Sequence, residues 1–331
     1  PVVLVIGSQH GNEPAGREAA LQFLRDLAFA ESGELLNLLT GVTVLVIPSA
    51  NPDGRVANTR RNADGVDINR DHIRLASPEG RAIAQVLRDF QPDIVVDAHE
   101  RPSGTTPDME LLWPRNLNVH GPVRDLSREM VEGRLFADLG ALGHSVALYG
   151  PGAGPPGDET ETILRNAVGL RHSLGLLTES AGADPAEDRV AIQLDVMRSV
   201  LRFRRDRAAG IASAVAEAPL AKAAAGRDRS EPFRLFGADN DPPAPEDVLD
   251  PPPCAYRLDA GEAAAISTSL SLWGVQAEVV PGAGSLLSMD QPSMTVSPLM
   301  VDPRARGPLV DGEPVVAALD CAALEAPAAW H

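Results

Sequence analysis

Short apolar runs recur through the first 180 residues and predict the strands of a buried sheet. They occupy residues 2–6, 42–47, 93–97, 145–149 and 174–177. β-Branched residues are common in these runs, and glycine, proline or charged residues bound them, which is typical of strands that are covered on both faces.

Between these runs, apolar positions recur at helical spacing. They predict helices over residues 14–31, 77–90, 121–142 and 186–216. Ser77 and Pro78 give the second of these helices an N-cap and a first-turn proline. The alternation of strands and helices predicts an α/β fold with a mixed, largely parallel, twisted sheet flanked by helices.

The pattern changes near Pro219, where clear periodicity is lost. We predict an α/β domain over residues 1–218 and a Pro/Asp-rich linker or surface excursion over residues 219–253. A small accessory region is predicted over residues 254–331, with a helix over 261–273 and short strands.

Composition excludes several classes of partner. The 331 residues carry a net charge of −17, which argues against binding to a nucleic-acid backbone or an anionic membrane surface. The sequence has no apolar run of about 18 residues, the length that a membrane-spanning helix needs. We therefore expect neither nucleic acid nor a membrane span, and the oligomeric state cannot be read from the sequence.

Two cysteines, Cys254 and Cys321, are too few for a metal cluster made of cysteines. Free buried thiols are favoured over a disulfide, although the sequence leaves the pairing open. Pro1 leads directly into a predicted strand, as expected of a trimmed chain, and a removed leader would favour a secreted or periplasmic location. The compartment stays undecided.

Candidate metal ligands stand at the ends of two predicted strands. His10 and Glu13 follow the first strand and are three residues apart, so both can close on one ion. This pair is common by chance, but His99 follows the strand over residues 93–97 and adds a second imidazole. Two imidazoles and one carboxylate form a ligand set that leaves a catalytic zinc an open position for water.

Further charged residues suit hydrolytic chemistry at such a metal. Glu179 follows the last predicted strand, where a general base for zinc-bound water would stand. Arg61 and Arg70 lie in a long polar loop and offer permanent positive charge for a developing oxyanion and for a substrate carboxylate.

In their order along the chain, these residues resemble the zinc carboxypeptidases of the carboxypeptidase A superfamily. The resemblance extends from about Val2 to Gly182. It rests on six matches: His10-Gly-Asn-Glu13, Asn51-Pro-Asp-Gly54, Arg61, Gly65-Val-Asp-Ile-Asn69-Arg70, Asp97-Ala-His99 and Thr178-Glu179.

The resemblance implies a metallocarboxypeptidase, a hydrolase that removes the C-terminal residue of a peptide with a free carboxylate. One Zn²⁺ per chain would be bound by His10, Glu13 and His99. Asp67 would accept a hydrogen bond from the far ring nitrogen of His10. Glu179 would deprotonate the zinc-bound water and then protonate the leaving amine.

The resemblance also implies how a peptide would be held. Asn69 and Arg70 would bind its terminal carboxylate, Arg70 through a bidentate pair. An arginine would polarise the scissile carbonyl and stabilise the oxyanion. Arg60 and Arg61 are both candidates, and we favour Arg61 because it adjoins Asn62. Tyr149 is a candidate for the mobile tyrosine of the family.

Substrate choice stays open at this level. The side-chain specificity of the family would be set between Gly150 and Arg171, where the candidates are Asp158, Glu159, Glu161, Arg165 and Asn166. Alternative functions are cell-wall peptide hydrolysis and amide deacylation of the succinylglutamate desuccinylase or aspartoacylase type. A zinc-retaining module that binds peptides without cleaving them is disfavoured, because binding alone requires neither Glu179 nor Arg61.

Overall fold

The computed structural model describes residues 1–150, 160–282, 284–317 and 321. The chain forms two compact units, Pro1–Val215 and Ala216–His331. None of the helices within the described residues is both long enough and apolar enough to cross a membrane.

The first unit is built on a six-stranded sheet. Its strands are β1 (Val2–Gly7), β2 (Thr43–Ile47), β3 (Ile94–Arg101), β4 (Met109–Leu112), β5 (Val146–Leu148) and β6 (Leu174–Ala181). They lie in the order β2-β1-β3-β6-β4-β5, and only the β6–β4 pair of this sheet is antiparallel. This is the mixed, largely parallel sheet that the apolar runs predict.

Helices follow most of these strands. They are α1 (Ala15–Ala28), α2 (Gly33–Leu38), α3 (Pro52–Ala57), α4 (Pro78–Phe90), α5 (Gly121–Arg128), α6 (Phe136–Ala141), α7 (Leu164–Leu170) and α8 (Ala186–Asp206). A π-helical segment, Glu129–Leu135, joins α5 to α6, so the helix predicted over residues 121–142 is a single run with a change of hydrogen-bond pattern. The hydroxyl of Ser77 caps α4 by accepting a hydrogen bond from the N–H of Gly80 at 3.0 Å.

The core of this unit lies between the sheet and its helices. Leu4 and Ile6 of β1 pack in one buried cluster with Val95 of β3 and with Ile83 and Leu87 of α4. Each strand of a parallel sheet is buried on both faces, which explains why β1 and β3 read as continuous apolar runs. This packing fixes the strand ends from which the candidate ligands extend.

The helix predicted over residues 186–216 is two helices. α8 ends at Asp206, and α9 (Ala208–Asp228) follows after Arg207. The division between the two compact units falls within α9. Residues 219–253, predicted as a linker or excursion, contain the end of α9 and a two-stranded sheet.

The second unit has two antiparallel sheets, one of four strands and one of two, and few helices. Its strands are β7 (Phe233–Arg234), β8 (Val248–Leu249), β9 (Ala255–Leu258), β10 (Glu278–Val280), β11 (Gly284–Ser288) and β12 (Glu313–Val315). The four-stranded sheet has the order β10-β11-β9-β12, while β7 pairs with β8. The helices α10 (Ala260–Trp273) and α11 (Ser297–Val301) complete it, and Asp259 and Glu262 form a capping box at the start of α10.

The expectation of free thiols is wrong, because Cys254 and Cys321 form a disulfide. The two residues are 67 positions apart, and local sequence does not show that they meet. Strand pairing brings them together: β12 lies beside β9, and the N–H of Cys254 donates a hydrogen bond to the carbonyl of Val315 at 2.9 Å.

Candidate metal centre and active-site pocket

A tight turn after β1 carries the first two candidate ligands. The N–H of Glu13 donates to the carbonyl of His10 at 3.1 Å, and the hydroxyl of Ser8 donates to the carbonyl of Glu13 at 2.9 Å. His10 Nδ1 and Glu13 Oε1 then lie 2.7 Å apart. A Cβ on Gly11 would lie 2.0 Å from the backbone of Gly54, so only glycine allows the turn to pack so closely.

His99 joins this pair from the end of β3. Because β3 is parallel to β1, the ends of both strands lie at the same edge of the sheet. His99 Nδ1 is 2.8 Å from Glu13 Oε2 and 3.0 Å from His10 Nδ1. All three side chains are buried, and among the described residues they form the cluster able to hold a metal ion.

The far ring nitrogens of both histidines face carboxylates. His10 Nε2 is 3.2 Å from Asp67 Oδ1, and His99 Nε2 is 2.8 Å from Asp97 Oδ1. A carboxylate accepts the ring N–H, which leaves Nδ1 to act as the metal ligand. Asp67 therefore lies where its predicted supporting role requires it, and Asp97 takes the matching position for His99.

The ligand set fits a zinc ion. Ligand atoms bound tetrahedrally at about 2.0–2.1 Å from zinc are roughly 3.3 Å apart, so contacts of 2.7–3.0 Å need only a small expansion. The charged groups around these residues also favour a bound cation. Although burial opposes its protonation, Asp97 and Glu13 raise the pKa of His99 well above its usual range. This cluster of carboxylates stabilises positive charge.

The pKa of Glu13 is shifted in the opposite direction. Burial alone would raise its pKa, but the adjacent His99 and His10 rings lower the pKa of Glu13 to about 2. Glu13 is therefore ionised at any pH near neutrality, as a carboxylate ligand of a metal must be.

Glu179 lies beside the ligands because of strand register. It is the direct partner of His99 on the neighbouring parallel strand β6, so both side chains leave the same face of the sheet. Burial, reinforced by the charges of Glu13 and Asp97, raises the pKa of Glu179 to about 8. A carboxyl group that holds a proton near neutral pH suits acid–base chemistry, and a bound cation would lower this pKa again.

A pocket opens next to the ligands. The described residues that line it are His10, Arg60, Asn69, Arg70, Tyr149, Ile163, Arg165, Leu177 and Glu179. The candidates Asn69, Arg70, Tyr149 and Glu179 thus meet in one place, although they come from separate parts of the sequence. Tyr149 enters at the end of β5, where its N–H donates to the carbonyl of Leu111 at 3.0 Å.

The arginine chosen from the sequence points elsewhere. Arg61 is exposed, and its guanidinium donates to the carbonyl of Gly65 at 2.8 Å instead of lining the pocket. Arg60 takes the position at the ligands. Its Nε donates to Asp67 at 2.9 Å, and its Nη1 lies 3.1 Å from His10 Nδ1. The structure therefore places Arg60, and not Arg61, beside the candidate metal ligands and in the pocket.

The Asn51–Gly54 segment holds the loop that carries Arg60 and Arg61. The amide of Asn51 donates to the carbonyls of Gln9 and Arg60 at 3.1 and 3.2 Å, and its oxygen accepts from the N–H of Gly54. The Asn51 side chain thus connects the turn that carries His10 and Glu13 to the backbone of Arg60.

Asn69 is more enclosed than a simple carboxylate-binding role suggests. Its oxygen accepts from the N–H of Leu164 at 2.8 Å, and its nitrogen lies 3.3 Å from Asp97 Oδ2 and 2.9 Å from His99 Nε2. Arg70 Nη1 donates to the Asn69 carbonyl at 2.7 Å, while the rest of this exposed side chain borders the pocket. Arg70 is therefore the more accessible of the two.

Sequence reasoning missed a buried polar chain behind His99. Gln9 donates to Asp97 Oδ1 at 2.6 Å, and its oxygen lies 2.8 Å from His72 Nε2. His72 is thus a core histidine with a partner, and burial lowers its pKa to about 4. The signal for Asp97 was available, because it precedes His99 by two residues and so shares its face of β3.

Of the specificity candidates, Asp158 and Glu159 lie outside the described residues. Asn166 is buried and structural, since its oxygen accepts a hydrogen bond from the N–H of Arg115 at 2.7 Å. Glu161 is half-buried and does not appear among the pocket-lining residues, whereas Arg165 does.

Comparison with known sequences confirms the resemblance predicted from these residues. The sequence model of the zinc carboxypeptidase family matches residues 1–95, which include His10 and Glu13. A curated protein of Trichophyton verrucosum (strain HKI 0517), named "Probable carboxypeptidase 2", is 33% identical over 223 residues. The match covers 60% of this chain and 43% of that protein, so the chain spans less than half of its curated relative.

Solved structures confirm the predicted fold class. A metallo-carboxypeptidase from Pseudomonas aeruginosa has a TM-score of 0.52 at 20% identity, covering 63% of this chain and 58% of that one. A metallo-carboxypeptidase from Burkholderia cenocepacia has a TM-score of 0.52 at 19% identity, with coverages of 62% and 57%. At this level of identity the likeness shows the fold alone.

Proposed function

We propose that this chain is a zinc-dependent metallocarboxypeptidase that removes the C-terminal residue of peptides. The observation that carries the proposal is the arrangement of His10, Glu13 and His99 beside Glu179 and a pocket lined by arginines. The match to zinc carboxypeptidases supports the same reaction class.

His10, Glu13 and His99 would hold one zinc ion through two Nδ1 atoms and one carboxylate. When bound, zinc supplies a Lewis acid that makes water acidic enough to react near neutral pH. Asp67 and Asp97 keep the imidazoles in the tautomer that presents Nδ1.

Glu179 would act as the proton carrier. Its carboxylate takes a proton from the attacking water and delivers it to the nitrogen of the leaving amino acid as the peptide bond breaks. Proton acceptance and donation by one group require a pKa that lies near the working pH, which its burial favours.

Arg60 and Arg70 would bind two different groups of the peptide substrate. Arg60 borders the ligand atoms and would stabilise the oxyanion that forms on the scissile carbonyl. Arg70 would pair with the terminal carboxylate, and its hydrogen bond to the Asn69 carbonyl would orient its guanidinium. Tyr149 lines the same pocket and would close over the terminal residue.

The adjacent arginines provide a matched test of the oxyanion role. Arg60→Ala is expected to lower kcat/KM by about 100- to 1,000-fold, the usual cost of losing one oxyanion donor. Arg61→Ala should leave it nearly unchanged, because Arg61 binds the Gly65 carbonyl outside the pocket. Steady-state kinetics on one peptide measures both. A larger loss of kcat/KM in Arg61→Ala than in Arg60→Ala would instead support Arg61, the residue chosen from the sequence.

A blocked C-terminus tests the exopeptidase assignment. A peptide with a free terminal carboxylate is expected to lose its last residue, while the same peptide as a C-terminal amide resists cleavage, because Arg70 has no anion to bind. Mass spectrometry of the two digests gives the answer. Equal cleavage of the amide would show that the terminal carboxylate is not recognised.

We also propose that the chain works in an oxidising compartment. The Cys254–Cys321 disulfide supports this, because disulfides persist mainly in secreted, periplasmic and extracellular proteins. Alkylation of the denatured protein without reductant should leave both cysteines unlabelled, and labelling of both in freshly isolated protein would argue against it.

A further inference from the structure

We propose that the pocket selects an acidic side chain on the residue that is removed, and that Arg165 makes this selection. The inference rests on the proposed function, because the selected side chain belongs to the C-terminal residue held beside Glu179. It concerns which peptides are cleaved, which neither the ligand set nor the carboxylate-binding residues decide.

Three arginines are among the described residues that line the pocket, and the reaction accounts for two of them. Arg60 is paired with Asp67 and borders the metal ligands, and Arg70 is exposed at the pocket edge. Arg165 differs from both, because it is only 2% exposed. A charged side chain is almost never buried so completely unless it is paired.

The position of Arg165 is fixed by its neighbours on α7. The N–H of Leu164 donates to Asn69 at 2.8 Å, and the amide of Asn166 donates to the carbonyl of Thr160 at 3.0 Å. Arg165 also has interactions within the protein. The segment that carries Arg165 is therefore held in place before a substrate arrives, which lowers the entropic cost of binding.

The charge balance of the pocket favours an added anion. Among the described lining residues, Glu179 brings a carboxylate and three arginines bring guanidinium groups, of which Arg60 is paired with Asp67, so Arg70 and Arg165 remain against Glu179. A buried charge also acts through less water than an exposed one, so its attraction for an anion is stronger. A lysine or arginine side chain on the substrate would meet like charge there and be rejected.

The remaining wall suits the stem of such a side chain. Ile163 and Leu177 line the same pocket, and their apolar surface can cover the methylene groups of a glutamate. An acidic terminal residue would thus present two carboxylates, one to Arg70 and one to Arg165.

Two peptides that differ only in their last residue test this proposal on the zinc-loaded chain. Glutamate and glutamine have nearly the same shape, so the ratio of their kcat/KM values isolates the side-chain charge. We expect glutamate to be favoured by about 10- to 100-fold, as for a hydrogen-bonded charge pair. A third peptide ending in lysine should be cleaved most slowly.

Arg165→Met removes the charge but keeps much of the side-chain volume. The glutamate-to-glutamine ratio is expected to fall to about 1 with zinc content unchanged, and Arg165→Lys should recover part of the preference. A merely structural arginine would lower both rates together and leave the ratio intact. If Arg165→Met does not fold, the ratio of kcat/KM on the glutamate and glutamine peptides still tests the acidic preference in the wild type.

The outcomes separate the two proposals. Equal rates on the glutamate and glutamine peptides would overturn the acidic preference while the carboxypeptidase function stands. A protein that holds zinc but releases no terminal residue from any of the three peptides would overturn the proposed function, and this inference with it.

Discussion

Replacing Glu179 by glutamine is expected to lower kcat by about 1,000-fold, within the range that general acid–base catalysis contributes. Glutamine has the same shape but cannot accept and return a proton. It would therefore stop the proton transfer from water to the leaving amine, while the surrounding contacts of β6 persist. Steady-state assays of terminal-residue release measure the loss of kcat.

Binding measurements make this test specific. Zinc content and the affinity for a terminal peptide should be nearly unchanged in Glu179→Gln, because the proposed ligands are His10, Glu13 and His99. Glu187→Gln is a suitable control, since Glu187 is exposed in the first turn of α8. Wild-type turnover by Glu179→Gln would remove Glu179 from the mechanism.

The second large effect is expected at His99. His99→Ala removes one of the three proposed ligands and leaves Glu13 and His10 without their shared partner. Zinc content should fall from about one equivalent to near zero after dialysis, and peptide cleavage should disappear with it. Atomic absorption on the dialysed protein measures the metal.

A control separates metal loss from unfolding. His144→Ala removes another histidine of the same unit, whose Nε2 lies 3.5 Å from Asp195 and which does not line the site pocket. Its zinc content and activity should match those of the wild type. Circular dichroism should show that His99→Ala keeps the fold, and a wild-type protein that folds but binds no zinc would contradict the ligand assignment.

The sequence predicts those parts of the site that depend on local geometry or on strand ends. His10 and Glu13 share one turn, so their spacing shows that they meet. His99 and Glu179 stand at the ends of apolar runs, and parallel strands place such positions at one edge of the sheet. These four residues therefore could be grouped before their distances were known.

Other features depend on contacts that sequence spacing does not show. Whether Arg60 or Arg61 faces the pocket depends on where Asn51 and Asp67 hold the loop, since neighbouring residues point in different directions. The pairing of Cys254 with Cys321 depends on the β9–β12 contact across about sixty residues of chain. The bounds predicted for the accessory region, residues 254–331, stay a prediction.

The most direct test of the central claim is a digest of a C-terminal peptide library by the zinc-loaded protein, read by mass spectrometry. Acylated amino acids are included as competing substrates. The account predicts products that are shorter by one or more C-terminal residues, acylated amino acids that stay intact, and no cleavage after zinc is removed. Release of free amino acids from the acylated compounds, with the peptides untouched, would contradict it.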